Sequence, residues 1–393
     1  MHMQSPASTR LGARLFKAVL FSAGISAIVA GCGGGSGRNN IPGVSSTTST
    51  PTAPATSTPA TTSAFAATNL VTDSGTNAPH VDSNLVNGWG IAFNPTGVVW
   101  VSDQGTSMST LYDGNGVAQS LVVSIPPAAG GPAGPTGILF NSTQDFQVME
   151  NGVTAAPLFI FAGTGGILAG WSPTVDGTHA VKMVDTSASA TPTAYTGLTM
   201  SSFQGKNYLY AADFRNGKVD VYDPTWNKVT LPGGTFADPN VPANFAPFGI
   251  KAIGNRIFVT YAEHAANGPK ETLGPGLGFI DVFDPSGAMI SRFATGGALN
   301  APWGLAVAPA NFGAFSNMLI VGNFGDGTLN VFDPTSGAQL GTLSDANQKP
   351  IAVPGLWGIA FGNGVDNQPT NTLFYAAGPN GEQDGLYGRI DLQ

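Results

Sequence analysis

The chain is short of charge. Only 10% of its 393 residues are charged, and the basic sign is the scarcer, at 15 against 23 acids. Four of the basic residues, Arg10, Arg14, Lys17 and Arg38, precede the first acid, Asp73, which leaves 11 against 23 and a net charge of −12 beyond that point. Neutralising phosphates needs clustered Lys and Arg, so a nucleic-acid partner is excluded. Cys32 is the only cysteine, which rules out an intramolecular disulfide and a thiolate metal site. Four histidines are present, no two at the i, i+4 spacing of a zinc-binding helix. Neither a Gly-x-Ser-x-Gly elbow nor a Gly-x4-Gly-Lys phosphate loop occurs. The apolar run Ala18–Ala30 is 13 residues long, too short to cross a bilayer as a mature helix.

Glycine and proline are plentiful instead, at 54 and 29 residues, and 42% of the chain is hydrophobic. That balance suits an all-β protein with many turns and a large core. A two-residue signature recurs as Trp89-Gly90, Thr136-Gly137, Thr196-Gly197, Phe248-Gly249, Trp303-Gly304 and Trp357-Gly358, with glycines separated by 47, 60, 52, 55 and 54 residues. The unit opening at Trp303 reads as four short strands: Leu305–Val307, Met318–Val321, Thr328–Phe332 and Gln339–Leu343. Each is bounded by Gly, Pro, Asn or Asp. Asp333-Pro334-Thr335-Ser336-Gly337 makes one of the turns. A four-stranded repeat of this length is a propeller blade.

The last unit supplies three strands, Gly358–Phe361, Thr372–Ala377 and Leu386–Leu392, and then stops. Asn69–Thr72 has no repeat of its own. The expected fold is therefore an all-β six-bladed β-propeller over 65–393, its last blade closed by the N-terminal strand.

Ahead of this lies an export signal over 1–31, with Arg10, Arg14 and Lys17 before the apolar stretch. It ends in Val29-Ala30-Gly31-Cys32, which resembles the lipobox of bacterial lipoproteins. Two readings stand: Cys32 lipidated as the first mature residue, or an ordinary cleaved signal with an incidental cysteine. Gly33 after the cysteine implies the outer membrane of a Gram-negative cell. Residues 32–64, rich in Gly, Ser, Thr and Pro, read as a tether. The expected protein is a monomer in the cell envelope, held to the membrane only by its lipid anchor.

Blade topology places the long loops Ser124–Pro135, Leu231–Pro247, Ala262–Leu277 and Ser344–Gly355 on one rim. Trp89, Phe248, Trp303 and Trp357 should ring the channel mouth there. The bend between second and third strands carries Asp103, Asp213, Glu263 and Asn323, with Gly163 and Gly378 in the other two blades. Two readings are open. Asp213, Glu263 and Asn323 converge on the axis as ligands for calcium or another divalent cation, or they cap turns while the aromatic rings pack between blades. His80 and His264 are the histidines nearest this rim.

The phrases Asn87-Gly88-Trp89-Gly90-Ile91-Ala92, Tyr210-Ala211-Ala212-Asp213-Phe214, Asn300-Ala301-Pro302-Trp303-Gly304 and Val321-Gly322-Asn323-Phe324-Gly325-Asp326-Gly327, with Gly355-Leu356-Trp357-Gly358, resemble a family of secreted bacterial propeller proteins. Some members carry a C-terminal PEP-CTERM sorting tail; this chain ends in Arg389-Ile390-Asp391-Leu392-Gln393 instead. It is more distantly similar to NHL-type and gluconolactonase-like propellers. The resemblance implies the fold and no activity. Two functions are expected to compete: a surface binding or scaffold module taking a protein, glycan or small molecule at its rim, and a metal-dependent hydrolase or lactonase at the channel mouth.

Overall fold

A computed structural model describes residues 63–265 and 270–393. Its strands form six successive sheets, each built on four antiparallel strands, and a separate two-stranded hairpin, Val148–Glu150 with Val153–Ala155. The innermost strands are Gly88–Phe93 in blade 1, Pro135–Phe140 in blade 2, Tyr195–Phe203 in blade 3, Phe245–Ile253 in blade 4, Pro302–Val307 in blade 5 and Leu356–Phe361 in blade 6. Each touches the next, and that of blade 6 touches that of blade 1. The protein is a six-bladed β-propeller.

Blade 5 runs Pro302–Val307, Leu319–Asn323, Leu329–Phe332 and Gln339–Thr342, within a few residues of the expected bounds. Closure is as expected and longer. Phe65–Thr72 pairs antiparallel with Leu386–Leu392, from Phe65 opposite Leu392 to Thr72 opposite Leu386. The strand starts at Phe65 because that ring packs on Phe312 and Phe315 of blade 5, with centroids at 4.8 and 6.0 Å. His80–Val81 then pairs in parallel with the outside of this strand. That puts His80 on the outer edge of blade 6, away from the axis but at the end of the blade where the innermost strand begins. The signal, Cys32 and nearly all of the tether lie outside the described residues.

Apolar clusters fill all six seams between neighbouring blades. The alternation of a strand explains how. In blade 2, Phe159 and Phe161 face blade 1, while Ile160 and Ala162 face blade 3. Strands buried on both faces read as continuous apolar runs, as Phe159–Gly163 does.

The signature glycines set the diameter of the ring. A Cβ on Gly90 would lie 2.3 Å from the Thr136 carbonyl of blade 2, and one on Gly358 would lie 2.4 Å from the Trp89 carbonyl of blade 1. Only a residue without a side chain lets adjacent innermost strands approach so closely.

Candidate functional site

The innermost strands begin at one face of the disc, the entry face, and end at the other, the exit face. Near the entry face, four signature rings leave their blades and meet. Trp89 of blade 1 and Phe248 of blade 4 come from opposite sides of the ring, yet their centroids are 6.5 Å apart. Trp89 stacks on Trp357 at 3.6 Å, and Trp303 meets both edge-on at 6.0 and 5.9 Å. Rings from opposite blades can touch only on the axis. Trp89, Phe248 and Trp357 are buried and Trp303 is half-buried. They form a plug across the channel, with Phe214 and Phe324 packed on it. The Trp303 indole donates to the Thr196 carbonyl of blade 3 at 2.8 Å, and that of Trp357 donates to Asn87 at 3.1 Å. The Trp89 N–H is buried without a partner.

Asp103, Asp213 and Asn323 do share one structural position, the end of the second strand of blades 1, 3 and 5, opposite the residue before each signature pair; in blade 4 Tyr261 takes that place and Glu263 lies two residues further along. They do not converge. The period of two puts each on the face that carries the preceding seam: Val99 and Val101 before Asp103, Leu209 and Ala211 before Asp213, Leu319 and Val321 before Asn323. Three of the four are engaged locally. Asp213 accepts from the Ala194 amide at 3.1 Å and from Asn216 at 2.7 Å. Glu263 accepts from Asn244. Asn323 donates to the Ala298 carbonyl at 2.7 Å. Among the described residues, no three His, Cys, Asp or Glu side chains group as a metal site would. The arrangement does not favour the hydrolase reading.

Burial shapes the titration of these groups. It raises the Asp213 carboxyl, a shift that the Asn216 hydrogen bond partly offsets. Asp103 is fully buried with neither carboxyl oxygen hydrogen-bonded. Burial pushes it well above the usual carboxylate range, and the nearby Thr110 hydroxyl offsets only part of that.

The residues facing the axis are those one step further along. Gln104, Thr164, Phe214, His264 and Phe324 follow directly on the residues singled out above. Their contacts run from blade to blade. Gln104 donates to Thr164 at 3.5 Å, and Phe214 stacks on His264 at 4.2 Å with the rings 3° from parallel. Phe324 stacks on Trp357 at 3.9 Å. Asn87 links Trp357 back to Gln104, donating to its side-chain oxygen at 3.1 Å. Burial lowers the half-buried His264 imidazole below its ordinary value, against a smaller opposing contribution from the Phe214 backbone.

Outside this ring, Asn87 also donates to Glu382 at 3.2 Å, and Glu382 accepts from Lys270 at 3.1 Å. Blades 1, 4 and 6 are thereby tied together across the face. Asn87, Ala301, Asn380 and Glu382 hold positive φ angles of 50, 45, 54 and 70°. Of the residues facing the axis, sequence reasoning identified His264 but not its role. The clue to the rest was the alternation already used to place the strands.

No family model matches the chain. Two uncharacterised proteins of Acanthamoeba polyphaga mimivirus do. One is 30% identical over 327 residues, covering 82% of this chain and 78% of its own. The other is 29% identical over 326 residues, covering 82% and 84%. Both are viral, whereas the resemblance drawn from sequence phrases was to bacterial proteins. Among solved structures, a streptogramin B lyase is 13% identical with a TM-score of 0.49, covering 86% of this chain and all of its own. The soluble aldose sugar dehydrogenase of Escherichia coli is 13% identical with a TM-score of 0.48, covering 84% and 100%. Likenesses at this level carry no chemistry to this chain.

Proposed function

Since the chain belongs to one β-propeller family with these uncharacterised viral proteins, we propose that it is an exported, lipid-anchored binding module that recognises its partner at the entry face. The observation that supports this is the set of contacts around the axis, joining blade 1 to 2, 3 to 4, 5 to 6 and 6 to 1, to which every blade contributes: Gln104, Thr164, Phe214, His264, Phe324, and in blade 6 Trp357 and Glu382. The axis beneath is filled with aromatic rings, so the face offers a surface to be recognised. Amide, hydroxyl and carboxylate groups beside aromatic edges suit a glycan, whose hydroxyls take such hydrogen bonds and whose C–H faces lie on rings. Cys32 would fix the module to a membrane, with 32–64 as its tether.

A glycan array on the wild type, followed by titration of the strongest hits into Gln104→Ala and His264→Ala, tests the binding site. At least tenfold weaker binding with unchanged melting is expected in both. Equal binding by both variants, or no hits, would refute it. Incorporation of labelled fatty acid into the wild type but not Cys32→Ser tests the anchor separately, and an unlabelled wild type would remove it.

A further inference from the structure

The turns beside the axis repeat from blade to blade, and one departs from the pattern. Register against the innermost strands aligns Asp103, Gly163, Asp213 and Asn323 at the end of the second strand. Two residues further on stand Gly105, Gly165 and Gly325 in blades 1, 2 and 5, and Arg215 in blade 3. The three glycines are shut in by the segment that enters their own blade. A Cβ there would lie 2.5 Å from the Val86 side chain, 2.3 Å from the Pro132 carbonyl and 2.0 Å from the Asn300 side chain. Their amides donate to the same segments, at the carbonyls of Val86, Ala133 and Asn300, over 3.0, 3.0 and 3.1 Å.

Blade 3 keeps only the first half of this arrangement. The Phe214 amide donates to the Ala194 carbonyl at 3.1 Å, but the Arg215 amide makes no such bond. A cleft of about 270 Å³ opens there between blades 2 and 3, with Arg215, Thr164, Ser187 and Thr193 among the residues lining it. Arg215 is exposed, and its guanidinium has no hydrogen bond or ion pair among the described residues. Arg256, by contrast, donates to the Pro334 carbonyl, Arg292 reaches Asp238 and Asp281, and Arg389 reaches Asp391. No acid lines the cleft. Asp185, which accepts from the Ala129 amide nearby, is paired with Lys182 at 2.7 Å.

We propose that the glycan taken at the entry face carries a carboxylate, as a uronic or sialic acid does, and that this cleft receives it on Arg215. The inference rests on the glycan reading of that face and names the class of sugar. A planar guanidinium meets a carboxylate with two parallel hydrogen bonds, and the amide of the same residue is a further free donor. The hydroxyls of Thr164, Ser187 and Thr193 suit the hydroxyls of the same sugar. The volume lies just below the range of small-molecule pockets, which suits one sugar unit. Thr164 belongs both to the cleft and to the axial contacts, so the acidic unit would lie beside the rest of the glycan.

A glycan array that pairs each uronic- or sialic-acid glycan with its carboxyl-reduced and its sulfated form, applied to the full chain and to Arg215→Gln, tests this. The wild type should bind acidic glycans at least about tenfold more tightly than their reduced forms, in line with a charge-assisted bidentate contact. Arg215→Gln should bring the two within about twofold and bind the reduced forms as the wild type does, with unchanged melting. Equal binding of acidic and reduced forms by the wild type, a preference that survives in Arg215→Gln, or a preference for sulfated over carboxylated forms would each overturn the proposal and leave the glycan reading standing. Binding of no glycan at all would remove both.

Discussion

The two ends of the channel are made by the same six strands and could hardly differ more. At the entry end, residues just before the signature glycines send rings inward until Trp89, Phe248, Trp303 and Trp357 touch across the axis. Around them blades are tied by side-chain hydrogen bonds. At the exit end, residues after the same glycines are aliphatic and leave a cavity, with Lys251 among the residues lining it. The glycines explain how both fit one ring. They bring neighbouring strands close enough that a large ring on either side of them must either fill the axis or be absent. A propeller can thus close one mouth and keep the other without changing its architecture.

Breaking the ring itself should have the largest effect, because both ends depend on closure. Deleting residues 63–72 removes Phe65, Leu70 and Val71 from two seams and leaves raw sheet edges. Thermal melting should show a loss on the order of 5 kcal/mol or more, enough to prevent folding. A truncated chain melting with the wild type would mean the strand is dispensable.

Next comes the plug. Trp357 is fully buried and touches four other rings, so Trp357→Ala should cost about 3–5 kcal/mol by chemical denaturation. A loss below about 1 kcal/mol would mean that the rings do not form a packed plug.

A smaller effect belongs to Asp103, near the entry face. Its carboxyl is raised above the unfolded value of 3.8, so the folded chain holds a proton that the unfolded chain gives up. Stability therefore falls as pH rises above that value and recovers as pH falls back toward it. Asp103→Asn should flatten this dependence and stabilise the protein at neutral pH. An unchanged slope would place the charge elsewhere.

The smallest effect is expected at the exit end. Lys251 makes no bond within the described residues, so Lys251→Met should change stability by no more than about 0.5 kcal/mol, or raise it. A loss of 2 kcal/mol would reveal a structural partner for the amine.

Much of this was legible in the sequence. Repeat spacing located six blades, and the missing fourth strand of the last unit pointed to the one that closes it, because strand count and edge pairing are arithmetic on short apolar runs. The end of the second strand was also located in blades 1, 3 and 5, at Asp103, Asp213 and Asn323, and missed by two residues in blade 4, at Glu263. What could not be read was the face. A shift of one residue turns a side chain from the axis into a seam, so the axial set became Gln104, Phe214, His264 and Phe324. The turn residues looked functional because they were polar, yet at Asp213, Glu263 and Asn323 that polarity serves local hydrogen bonds. Lys251 drew no notice because a lysine between Ile250 and Ala252 reads as an ordinary solvent-facing strand position. Only the closed ring shows that the space it faces is the channel.

The central claim, a channel plugged at the entry end and open at the exit end, can be tested with cysteine chemistry, since Cys32 is the only cysteine to remove. In a Cys32→Ser background, Ala360→Cys would place a thiol in the exit cavity and Ala262→Cys one inside the aromatic cluster. Maleimide should modify Ala360→Cys in the folded protein at least a hundredfold faster than Ala262→Cys, and both alike in denaturant. Equal rates in the folded protein would contradict the account.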